Sequence, residues 1–321
     1  MEGLIAITYR CNAHCRMCNT WRFPSQPETE IRPADLESLP RLRFANITGG
    51  EPFIRADIAD FVEILREKAA RIVVSTNGYL TERVVRLAER FPDVGLRVSL
   101  EGLGTANDEL RGLDRGFEHG LRTLLALRDA GVRDIGFGIT LTDRNADDVM
   151  ELYTLAEGMG LEFATAAAHN TYYFHKLDNR FDDPDRVCAG LEAVARRLLA
   201  TNRMKNWFRA WFNVGLANYV KGGPRLLPCD AAQDVFFVDP FGDVKPCNAM
   251  DFTLGNLREE PFARVWGGSR AAEARRRVRE CTERCWMIGS VAPAMRRHLS
   301  VPAVWVLKAK LTGTLPGVRG A

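Results

Sequence analysis

The chain of 321 residues holds no apolar run long enough to cross a bilayer, no signal-like segment ahead of its first apolar stretch, and no internal repeat or low-complexity tract. A membrane-spanning helix, an exported protein and a repeat array are therefore not expected, and a cytoplasmic location is. Charge of either sign is in little excess: 44 Lys and Arg against 41 Asp and Glu leave +3, too little to argue for a nucleic-acid partner. Apolar residues, by contrast, make up 46% of the chain, enough to fill the core of a globular protein. Eight cysteines are present, in two groups with Cys188 between them. In a reducing compartment such groups read as metal-bound thiolates in preference to disulfides.

Strand and helix patterns alternate along the first half. Residues 4–9 read as a buried strand, 21–32 as a Pro-rich surface connection, 33–39 as a short helix opened by proline, and 44–48 as a second strand. Helices are expected over 57–70, 81–90, 116–130 and 146–159, and strands over 72–75, 95–100, 134–141 and 161–167. Six strand units imply an α/β fold with a parallel sheet. Further helices, 184–202 and 207–220, end at Gly222-Gly223-Pro224. The expected division is 1–183 for the sheet domain, 184–228 for a helical bridge, 229–290 for a small α+β domain and 291–321 for a basic amphipathic tail.

Cys11, Cys15 and Cys18 follow the first strand, with three residues between the first pair and two between the second. Three thiolates on one short loop suit an iron–sulfur cluster. Three ligands for four irons leave one iron open to a substrate or cosubstrate. Zinc would need a fourth ligand, and His14, the local candidate, lies inside the loop. Cysteines scattered through a core are the third reading. The pattern Cys-x3-Cys-x-(apolar or aromatic)-Cys after a first strand resembles the signature of the radical S-adenosylmethionine (SAM) enzymes. The resemblance implies an open, partial (β/α)6 barrel and a [4Fe–4S] cluster whose open iron chelates the amino and carboxylate groups of SAM. It also implies reductive cleavage of SAM to a 5′-deoxyadenosyl radical, with a flavodoxin- or ferredoxin-type electron donor. Met17 stands where the family places a side chain against the adenine.

Thr48 and the segment Gly49-Gly50-Glu51-Pro52 end the second strand. Paired glycines let the backbone approach a ligand, and Glu51 offers an acceptor for an ammonium; in the family such a segment binds the SAM amino group. Ser75 and Asn77 end the third strand, Ser99 and Glu101 the fourth, where the family has polar SAM or substrate contacts. Glu101 stands in place of the usual Asp, one methylene longer. Arg111 precedes Gly112 in a pair whose Arg, in many members, meets the SAM carboxylate, a task suited to a bidentate guanidinium; a solvated surface Arg is the alternative. The run His169-Asn170-Thr171-Tyr172-Tyr173-Phe174-His175-Lys176 reads as a substrate wall or as a loop packed over the barrel mouth, with His169 and Tyr172 as catalytic candidates.

The second group is Cys229, Cys247, Cys281 and Cys285. Residues 235–246 read as a hairpin turning at Asp239-Pro240-Phe241-Gly242. Together with Gly255-Asn256 this arrangement resembles the auxiliary-cluster domains called SPASM and twitch. Four cysteines suffice for one auxiliary [4Fe–4S] cluster, which favours twitch, although a structural zinc would satisfy them too. Cys188 reads either as a buried free thiol or, as in epimerases of the family, as a hydrogen donor to a substrate radical. Past Trp286, Arg296, Arg297, Lys308, Lys310 and Arg319 interleave with apolar residues. That tail either lies on a membrane or an acidic partner, or packs against the barrel, and packing is favoured.

The resemblance thus implies an oxidoreductase of biosynthesis acting on a small molecule of sugar or aminocyclitol type, the second cluster taking up the remaining electron. The alternatives are a redox-neutral sugar or nucleoside epimerase using Cys188, a peptide-modifying maturase, and a non-catalytic metal scaffold. Maturases commonly carry an N-terminal peptide-binding domain, and strands here begin at residue 4, which sets that reading behind the first.

Overall fold

A computed structural model describes residues 1–318; Arg319 of the expected tail lies outside the described residues. Six strands are laid side by side in sequence order and all run parallel: β1 (Glu2–Ala6), β2 (Phe44–Thr48), β3 (Ile72–Thr76), β4 (Gly95–Ser99), β5 (Ile135–Leu141) and β6 (Glu162–Ala167). The connecting helices are α1 (Ile58–Lys68), α2 (Thr81–Arg90), α3 (Thr105–Arg111), α4 (Gly116–Asp129) and α5 (Val149–Met159). Each buries one stripe. On α1 it is Ile58, Phe61, Val62 and Leu65, the i, i+3, i+4, i+7 spacing that faces a sheet. Strand residues divide by parity: Ile5 joins the helix-covered layer with Ala45 and Ile47, while Ala6 points inward with Tyr173 and Phe237. The short helix expected over 33–39 is one 3-10 turn, Pro33–Leu36. Nothing in the sequence reading announced α3.

After β6, α6 (Pro184–Ala200) and α7 (Met204–Val220) pack on each other. The chain then returns to the sheet. β7 (Val235–Val238) pairs parallel with β1, and β8 (Asp243–Lys245) and β9 (Gly255–Asn256) follow antiparallel, giving one nine-stranded sheet in the order β6-β5-β4-β3-β2-β1-β7-β8-β9. The expected separate domain over 229–290 is thus an extension of the barrel sheet. Its core is shared as well: Phe236, Val244, and Phe262 and Val265 of α8 (Phe262–Gly267) and Ala271, Ala274 and Val278 of α9 (Ser269–Arg279) lie in the same apolar cluster as Ile5, Ile47 and Val74. A parallel bond to β1 explains the merger, because it removes an exposed sheet edge from both halves.

The tail packs, as favoured. α10 (Ile288–Arg297) lies on β1 and β7, close enough that a Cβ on Gly289 would sit 3.2 Å from Leu4. Arg296 pairs with the buried Glu2 at the start of β1, and Arg297 with Asp230 at 2.6 Å. α11 (Ser300–Thr312) buries Pro302, Trp305, Val306 and Ala309 against α6 and α7. It also leaves Val304, Leu307 and Leu311 exposed, so it is apolar on both faces and not the amphipathic helix expected. No helix among the described residues is long and apolar enough to cross a membrane.

Candidate active site

The C-terminal ends of the six parallel strands surround a cavity of about 310 Å³. Each strand contributes: Leu4, Asn46 and Thr48, Ser75 and Thr76, Ser99, Thr140, then Ala166 and Ala167. Small and polar inward residues leave this end of the barrel hollow. Cys11, Cys15, Met17 and Cys18 line the same space.

The cysteine loop is held from two sides. The backbone N–H groups of His14 and Arg16 donate to the carbonyls of Arg111 and Leu110, both at 2.8 Å. Gly112 caps α3 at φ +54°, and a Cβ there would lie 2.8 Å from the His14 carbonyl oxygen; a left-handed, side-chain-free residue is required. On the other side Glu30, almost fully buried, accepts from Thr8, from Ser25 at 2.6 Å and from Arg10 at 2.7 and 3.0 Å. Arg55 lies 3.4 Å from the same carboxylate. The stretch expected to be a surface connection is mostly exposed, as read, but Ser25, Glu30 and Ile31 are buried, and through Glu30 it forms an ionic brace. Burial pushes the Cys11 thiol up to about 12 and that of Cys15 to about 11. Three neutral thiols facing one cavity fit a cluster whose binding expels their protons.

Gly49 and Gly50 do line the cavity, but their closest approach is to β1. A Cβ on Gly49 would lie 2.5 Å from the Thr8 carbonyl oxygen, and one on Gly50 2.3 Å from that of Arg10. Glu51 corrects the sequence reading. Both oxygens of its carboxylate are engaged, by Phe53 N–H (3.1 Å), Thr76 Oγ1 (2.8 Å) and Asn77 N–H (2.7 Å), so it ties the ends of β2 and β3 together, and it lies outside the cavity lining. Burial nonetheless pushes its pKa upward. Asn77 donates to Asn12 at 2.7 Å and accepts from Tyr79 N–H. Arg111 and Glu101 form a buried pair at 2.9 Å on the cavity wall, and Glu101 also accepts from Thr140 N–H at 2.5 Å. Arg111 is no surface residue. Its Nε is buried without a partner, the feature a bound SAM carboxylate would satisfy. These residues fit SAM and a [4Fe–4S] cluster.

The three catalytic candidates fare differently. His169 lines the cavity, yet Nδ1 lies 2.6 Å from the Ala167 carbonyl and Nε2 accepts the Trp286 N–H at 2.9 Å. Burial lowers its pKa to about 4. With both nitrogens engaged it is a neutral strut between β6 and the Cys285-Trp286 backbone. Tyr172 faces outward, 37% exposed, over the Lys245 ammonium. Its neighbour Tyr173 lines the cavity and donates to the Gly49 carbonyl at 2.5 Å. Cys188 is buried between α6 and α7, with its thiol donating to the Ala217 carbonyl at 3.3 Å. It lies in the helical core, outside the cavity lining, which removes the hydrogen-donor role and the epimerase reading built on it. Asn46, Asn248 and Met287 are cavity residues the sequence reading missed, and Tyr173, part of the run read as a substrate wall, was not singled out in it.

Cys229, Cys247, Cys281 and Cys285 share one open cavity. The first, second and fourth also face a smaller inner cavity of about 40 Å³, while Cys281 is exposed. Burial drives the Cys247 thiol to about 12 and Cys285 to about 11. Four thiols around one space suit an iron–sulfur cluster or a zinc ion. Leu4, Phe237, Asn248 and Met287 line both the inner cavity and the barrel cavity. The two spaces are thus separated by one layer of residues.

Comparison with known proteins agrees with this geometry. The radical SAM superfamily model matches residues 5–156, and an iron–sulfur cluster-binding domain, SPASM, matches residues 229–286. Pre-heme d1 synthase of Dinoroseobacter shibae is 25% identical over 87% of this chain and 76% of its own length. Mycofactocin maturase MftC of Mycobacterium tuberculosis is 26% identical over 82% of this chain and 69% of its own. Among solved structures, native anSMEcpe with bound AdoMet and Cp18Cys peptide aligns with a TM-score of 0.61 at 16% identity, over 85% of this chain and 81% of that one, which shows a common fold. The cofactors are accordingly a SAM-binding [4Fe–4S] cluster with SAM, and an auxiliary iron–sulfur centre. With both family matches falling on the two cysteine sets that the fold brings to one sheet, the chain belongs to the radical SAM superfamily and carries a SPASM iron–sulfur domain.

Proposed function

We propose that this radical SAM enzyme oxidises a residue within a peptide, in place of the sugar or aminocyclitol first expected. The observation that carries the reading is the cavity lining. Glu101 and Arg111 answer each other, and apart from the groups around SAM the lining presents the neutral amides of Asn46 and Asn248 and the Thr140 hydroxyl. Such groups pair with peptide amides; a ligand rich in carboxylates would call for unpaired cations. Sugars suit the same lining; the likeness to a mycofactocin maturase supports the peptide over them.

The cluster and SAM, when bound, supply hydrogen-atom abstraction from an unactivated C–H bond. The chain's own residues do the rest. Cys11, Cys15 and Cys18 would hold the cluster, with Met17, Thr48, Gly49, Gly50, Ser75, Asn77, Ser99 and Arg111 disposed around SAM. Glu101 fixes the Arg111 fork. Leu4, Phe237 and Met287 keep water from between the substrate and the auxiliary cysteines. That proximity favours oxidation, since it offers the remaining electron a nearby acceptor, and a flavodoxin- or ferredoxin-type protein would supply the first.

A second reading follows the likeness to pre-heme d1 synthase: a tetrapyrrole side chain as the reacting group. The test incubates reduced holoenzyme and SAM with a pool of short peptides deuterated on side-chain carbons and, separately, with a propionate-bearing iron porphyrin. We expect 5′-deoxyadenosine above the substrate-free control, carrying deuterium, from the peptide pool. Release with the porphyrin alone would replace the peptide reading.

A further inference from the structure

Arg225 lies in the turn that follows α7, ahead of the first auxiliary cysteine. Its guanidinium is fixed on every side. Nε donates to the Leu227 carbonyl at 2.9 Å, Nη1 to the Cys285 carbonyl, and Nη2 to the Ser290 carbonyl at 3.2 Å. Both terminal nitrogens lie 3.4 Å from Ser290 Oγ, and the group rests over the Trp286 ring with Cζ 5.7 Å from its centroid. Held so, Nη1 stands 3.9 Å from the Cys285 sulfur. Among the described residues no carboxylate forms a salt bridge with Arg225, whereas Arg10, Arg55, Arg111 and Arg297 each have one. Its charge is left facing the thiol.

An iron–sulfur centre gains negative charge when it is reduced, and hydrogen bonds and charges at its sulfurs set its potential. A cation that is not neutralised by a neighbour favours the reduced form. A guanidinium pinned by carbonyls cannot swing out to solvent as a lysine can. We propose that Arg225 raises the reduction potential of the auxiliary centre through the Cys285 sulfur, making that centre an electron acceptor. Arg225 is a positioning and tuning residue, and its role rests on Cys285 being a ligand of the auxiliary centre.

The test uses the full chain with Cys11, Cys15 and Cys18 replaced by Ala, so that only the auxiliary centre is loaded. Iron and sulfide are counted first, with and without Cys285→Ala. If that substitution leaves the centre intact, Cys285 is not a ligand and the ligand reading has failed before Arg225 is touched. Midpoint potentials are then read by EPR-monitored redox titration for Arg225→Gln and Arg225→Lys. We expect full iron in both and a more negative midpoint for Arg225→Gln. At fixed potential the reduced-to-oxidised ratio should fall about tenfold, which is about 59 mV for a one-electron couple. Arg225→Lys should stay nearer the parent. A full complement of iron with an unmoved midpoint in Arg225→Gln overturns the proposal, and so does loss of iron in both variants, which would make Arg225 a brace only.

Discussion

His169 shows what a single residue contributes here. Its two hydrogen bonds join the end of β6 to the backbone beside Cys285, and they need a neutral ring with one donor and one acceptor nitrogen. Its folded pKa, about 4, lies below the ordinary 6.5. Between those values the unfolded chain binds a proton that the folded chain refuses, so stability rises with pH across that window. The contribution is complete above pH 6.5 and is lost as pH falls toward 4, on the order of 3 kcal/mol. His169→Ala should cost about 3 kcal/mol at neutral pH, from the two buried groups left unpaired. In denaturant titrations the gap between parent and variant should close as pH drops from 7 to 4; a gap that stays constant would show that His169 does not act as this neutral strut. The cysteine triad was legible because its members are neighbours in the chain. Cys188 could have been read as core, since Val187, Cys188, Leu191, Val194, Ala195 and Leu198 make one helical stripe, a periodicity that the hydrogen-donor reading passed over. Tyr172 and Tyr173 were not separable: which of two adjacent tyrosines faces inward depends on the path of a loop.

At the level of elements, the parallel strands and their helices could be read from period and turn residues, within a few positions. Asn46 and Thr48 share one strand face, alternating with Ala45 and Ile47, a pattern that marks Asn46 as inward. Two features could not be read. The pairing of β7 with β1 joins residues more than two hundred positions apart, and no local pattern encodes a sheet neighbour. The brace around Glu30 likewise unites residues 8, 10, 25 and 55, and in sequence it resembles any polar connection. Removing one partner of a buried ionic group leaves the others uncompensated. Glu30→Gln should therefore lower unfolding free energy by about 3 kcal/mol and reduce iron at the cysteine triad while sparing the auxiliary set. Equal loss at both sets, or a stability change within about 0.5 kcal/mol, would show that the segment is only a surface connection.

Across the whole molecule, one sheet carries two sets of cysteines to opposite sides of a single layer of residues. The barrel half and the SPASM half share strands, core and wall, so the auxiliary centre is part of the reaction chamber's architecture. The direct test is anaerobic iron and sulfide analysis of three proteins: the parent chain, the Cys11/Cys15/Cys18→Ala variant and a Cys229/Cys247→Ala variant. The predicted result is about eight irons in the parent and about four in each variant, two [4Fe–4S] clusters lost independently. About four irons in the parent, none after loss of the triad, and zinc retained at Cys229 and Cys247 would contradict it. That outcome would leave the chamber without its second redox centre.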